Sequence, residues 1–78
     1  MRRPGSRPNS LEDHRLAAES RYQRYMRETE ALLTDATQAR DQGKWTEVAA
    51  FLQAATATMS AAQACARELN LIYILNGE

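Results

Sequence analysis

The chain has 78 residues with 10 basic and 10 acidic side chains, so its formal net charge is zero. That length holds one domain and leaves apolar surface open unless a second chain covers it. The zero balance argues against a protein that coats nucleic acid over its whole surface.

The charges are unevenly spread. Residues 1–27 carry seven arginines against three acids, and residues 28–78 carry three bases against seven acids, so the chain runs from basic to acidic. A single cysteine, Cys65, permits no internal disulfide. Within an Ala-rich stretch it is expected to be a small buried thiol in a reducing, cytoplasmic setting.

Residues 1–9 hold both prolines, one glycine and the arginines Arg2, Arg3 and Arg7, with no large apolar residue beyond the initial Met. This composition predicts a flexible basic arm, and it lacks the apolar core of a secretory leader. Asn9 or Ser10 offers an N-cap, with Glu12 and Asp13 in the first turn, where acids suit the helix dipole. From there Leu11, Ala18, Tyr25, Leu32 and Ala39 recur every seven residues, and Arg15, Tyr22, Thr29 and Ala36 form a companion row. This a/d-like stripe, widened by Met26 and Leu33, predicts one helix over about residues 10–42.

Gly43 follows the last periodic residue, where a glycine can take the left-handed conformation that ends a helix. Trp45 is expected to staple the next helix and Thr46 to cap it, with Glu47 in its first turn, so Gly43–Thr46 is the predicted inter-helix turn. The second helix carries Val48, Ala55, Ala62 and Leu69 in one heptad row and Leu52, Met59, Ala66 and Tyr73 in the expected companion row, with Phe51, Cys65 and Ile72 beside them. A connection this short makes the helices antiparallel neighbours. The predicted fold is all-α: a long helical hairpin over residues 10–78 that completes a four-helix bundle by dimerisation. Val48–Ala66 is uncharged, but Gln53, Thr56, Thr58, Ser60 and Gln63 interrupt it, so no membrane span is expected.

The run Ala39-x3-Gly43-x-Trp45-x-Glu47-Val48-Ala49 resembles the inter-helix turn of tetratricopeptide and microtubule-interacting-and-transport hairpins, although the helices are longer and no second repeat or third helix follows. In size and turn position the chain also resembles small secreted hairpins with a Trp-x-Gly turn. Here the order is reversed, Gly43-Lys44-Trp45. Neither resemblance transfers a functional residue.

His14 and Cys65 fall on different helices with no reason to meet, and no zinc spacing, Glu-x-x-His pair or phosphate-cradling loop occurs. The expectation is a non-enzymatic protein without cofactor or small-molecule substrate. The strongest signal is the second helix: it is uncharged on every face through its middle and bulky at its end, where Leu69, Leu71, Ile72, Tyr73, Ile74 and Leu75 point in too many directions for one stripe.

These six residues are the candidate protein-binding surface of a homodimeric regulator, inhibitor or adaptor of the kind phages and mobile elements encode. A second reading is a nucleic-acid-associated protein using Arg2, Arg3, Arg7, Arg21, Arg24 and Arg27, with Tyr22 and Tyr25 as stacking platforms. In the simpler account the two tyrosines are core, and Arg24 with Glu28 and Arg27 with Glu30 are ordinary surface pairs. A third reading is a structural subunit of a large assembly.

Overall fold

The structure, a computed structural model, describes residues 9–76. It consists of two helices, α1 (Asn9–Asp41) and α2 (Trp45–Asn76), folded back on each other as an antiparallel hairpin. The expected basic arm lies outside the described residues, apart from Asn9, which already belongs to α1. At ~1.5 Å per residue each helix is about 50 Å long, so the molecule is a rod one helix thick.

α1 ends as its glycine implies. Gly43 has φ 71°, its N–H donates to the Arg40 carbonyl at 2.9 Å, and the Lys44 N–H donates to the Ala39 carbonyl at 2.9 Å. These are the two bonds of a Schellman termination, which satisfies carbonyls the helix would otherwise leave open. An added Cβ at Gly43 would meet nothing within 4 Å, so any cost of substitution comes from backbone conformation alone. Gly43→Val is therefore expected to lose about 1–2 kcal/mol in urea unfolding, with Gly43→Asn losing less. Equal stability for Gly43→Val and wild type would contradict this account of the turn.

The start of α2 differs from expectation. Val48 donates to the Lys44 carbonyl at 3.0 Å, which puts Lys44 at the cap position and Trp45 and Thr46 inside the first turn. Thr46 is therefore not the cap. Trp45 is 63% exposed and staples nothing. The Schellman turn delivers the chain straight into α2 and leaves no room for a separate capping residue.

The seam of α1 is the expected stripe. Ala18, Thr29, Ala36 and Ala39 are buried, and Leu11, Arg15, Tyr22, Tyr25 and Leu32 are half-buried. Arg15 occupies a stripe position by turning its guanidinium sideways to Glu12 and Glu19, which holds the Glu12 carboxyl below the usual carboxylate range.

On α2 one row is as expected: Ala55 and Ala62 are buried, Val48 and Leu69 half-buried. The companion row is different. Cys65 and Ile72 are buried and Phe51 and Thr58 half-buried, whereas Leu52, Ala66 and Tyr73 are exposed and Met59 is half-buried. Phe51, Thr58, Cys65 and Ile72 thus face α1, and the row built on Leu52 and Met59 flanks the seam.

The register is fixed where Thr29 Oγ1 meets Thr58 Oγ1 at 2.5 Å. Thr29 Oγ1 also lies 2.9 Å from the Tyr25 carbonyl, and Thr58 Oγ1 lies 3.1 Å from the Ala55 carbonyl. Each hydroxyl has one proton, so one donates to its own helix while the other donates across, and Thr29, 2% exposed, remains satisfied.

Counting outward in opposite directions from this layer sets Leu32 level with Ala55, Ala36 with Phe51, Tyr25 with Ala62, Tyr22 with Cys65, Ala18 with Leu69 and Arg15 with Ile72. Large stands against small in nearly every layer, which lets two straight helices stay close along their whole length. The salt bridge from Arg21 to Glu68 at 3.2 Å, beside the seam, agrees with this register.

Candidate protein-interaction surface

Two helices cannot enclose a core. Among the described residues no large side chain is fully buried, and the buried set is mostly alanine. Apart from Leu16 and Trp45, the large apolar residues that remain exposed fall in two places.

The first is the end of α2. Leu71 is 60% exposed, Tyr73 66%, Ile74 57% and Leu75 63%. Of the six residues expected to form the protein-binding surface, these four are available. Leu69 is half-buried and Ile72 is only 5% exposed, because both belong to seam rows and are used up in holding α2 to the start of α1. Apolar side chains exposed in this way at a helix end, where loops or polar residues are usual, are costly in water.

The second place is one broad side of the hairpin. Thr29, Leu33, Leu52, Thr56 and Met59 line an open groove of about 330 Å³. A second depression of about 230 Å³ shares Leu33 and Leu52 and extends toward the turn past Ala36 and Val48. The two form one shallow trough whose large apolar residues are Leu33, Leu52 and Met59, with Thr37, Arg40, Ser60 and Gln63 also along it. Near the turn the opposite broad side is polar, with Asp35, Gln38, Gln42 and Glu47 around Phe51. Leu33 and Met59, a stripe-widening and a seam residue by periodicity alone, gather instead with Leu52 on one side; the seven-residue repeat of Trp45, Leu52, Met59, Ala66 and Tyr73 is the sequence signal for it.

The Arg/Tyr segment divides between the seam and the surface. Tyr22 and Tyr25 are half-buried in the seam, Arg21 is bonded to Glu68, and the Arg24 guanidinium lies 5.5 Å from the centre of the Tyr25 ring. The expected Arg24–Glu28 and Arg27–Glu30 pairs are not formed among the described residues. Arg24 and Arg27 are exposed, while Arg2, Arg3 and Arg7 lie outside the described residues.

Cys65 is buried in the seam, several layers from the level of His14. Among the described residues no group of three or more His, Cys, Asp or Glu is placed to hold a metal, and no helix is long and apolar enough to cross a membrane. The chain matches no family model, no curated protein and no solved structure.

Proposed function

We propose that this is a non-enzymatic hairpin protein that binds a larger protein through the end of α2 and acts by occlusion or as an adaptor. The observation that supports the reading is the exposure of Leu71, Tyr73, Ile74 and Leu75 on the last two turns, beyond what the seam uses. Such residues give up hydration only when another apolar surface closes over them, at roughly 1.5–3 kcal/mol for each side chain fully buried. A rigid helix end also binds with little loss of chain entropy.

The test uses the pair Leu71→Asp and Ile74→Asp, both on exposed positions, so the seam is left intact. Wild-type protein immobilised in an extract of its own cells is expected to retain a specific protein that the double variant releases, with equal helicity in both. The reading fails if the two retain the same set. Ile72 is unsuitable for this purpose, because it is part of the hairpin's own packing.

A further inference from the structure

We infer that the trough is covered by a second copy of this chain, laid face to face and antiparallel, so that the turn of each hairpin meets the open end of the other. The trough shares only Tyr73 with the proposed protein-binding end, and its covering does not depend on that proposal.

The rows that border the trough carry the argument. On α2 the flanking row is Trp45, Leu52, Met59, Ala66 and Tyr73; on α1 it is Glu19, Met26, Leu33 and Arg40. A twofold axis crossing the trough near Met59 reverses each row against itself. On α1, Arg40 of one copy then comes level with Glu19 of the other, and Leu33 with Met26. On α2, Leu52 comes level with Ala66, Met59 with its own counterpart, and Trp45 with Tyr73. Arg40, which also bonds Asp41, meets Glu19, which also bonds Arg15; Leu52 meets Ala66, Leu33 meets Met26, and the exposed aromatic at the turn meets the exposed aromatic at the open end.

Charge along the rod selects this orientation over the parallel one. The turn half, residues 28–59, has five acids against two bases, a balance of −3, and the open half, residues 11–27 and 60–76, has five bases against four acids, a balance of +1. Antiparallel copies set acidic halves on basic ones, whereas parallel copies stack two acidic turns together.

The size is also sufficient. Two helices about 50 Å long, packed 8–10 Å apart, present a broad side of roughly 900–1,000 Å², comparable to the ~800 Å² per partner of a stable interface. Leu71 and Ile74 lie off the trough, so the dimer carries one apolar helix end at each extremity.

The test is light scattering over a concentration series together with charge exchange. Wild type is expected to be a dimer. Arg40→Glu and Glu19→Arg should each raise the dimer dissociation constant on the order of tenfold or more, because each places like charges together twice in one dimer. The double variant should return to near the wild-type value. In a parallel dimer these residues are separated by about 20 helical residues, roughly 30 Å, and the double variant could not rescue. Leu52→Glu should give a helical monomer, since Leu52 is 46% exposed and is not needed for the seam. A wild-type monomer, or a dimer in which neither single exchange weakens association or the double exchange fails to restore it, would overturn the inference.

Discussion

Replacing Ile72 by aspartate is expected to unfold the open end of the hairpin and to cost about 3–5 kcal/mol in urea or thermal unfolding, the scale for leaving a charge buried without a partner. Ile72 is 5% exposed and closes the seam at the level of Arg15. The arginine offers no rescue as it stands, because its guanidinium is engaged by Glu12 and Glu19. The control is two residues away. Ile74→Asp sits on a 57% exposed position and should change stability by only about 0.5 kcal/mol. Similar losses at the two positions would mean that the end of α2 is not packed as the seam requires.

The second large effect is expected from Ala62→Leu. Ala62 is 1% exposed and lies level with Tyr25, so extra methylenes there must push the helices apart or force the tyrosine out of its rotamer. Overpacking of this kind costs about 1–3 kcal/mol. In a domain of this size that corresponds to a fall in Tm of roughly 4–8 °C for each kcal/mol. Ala64→Leu, on the exposed side of the same helix, should be close to neutral, since leucine is nearly as good a helix former as alanine. Thermal unfolding followed by circular dichroism separates the two. An Ala62→Leu variant as stable as wild type would show that the small residues of α2 do not set the helix spacing.

Both predictions depend on which face of α2 meets α1, and here local sequence and tertiary structure contributed differently. The two helices, the stripe of α1 and the glycine that separates them were legible in the sequence. A seven-residue apolar repeat and a left-handed glycine depend only on neighbours along the chain. The row of Val48, Ala55, Ala62 and Leu69 was legible for the same reason.

Its companion was not. Phe51, Thr58, Cys65 and Ile72 compete with Leu52, Met59, Ala66 and Tyr73, and both rows have the right spacing. Hydrophobic periodicity favoured the row without the threonine. What decides is the opposite helix: the layer in which Thr58 meets Thr29, whose hydroxyl also reaches the Tyr25 carbonyl of its own helix, sets which row faces α1. Once that layer is set, Cys65 falls beside Tyr22 and Phe51 beside Ala36, and volumes fit on both sides.

The same choice turned Ile72 inward, away from the candidate binding surface, and left Leu52 and Met59 on an open trough. The sequence by itself therefore determined that this chain is a helical hairpin with an apolar second helix. The tertiary structure alone decided which of its apolar residues hold the hairpin together and which remain for a partner, because that division depends on matching polarity and volume across two segments far apart in the chain.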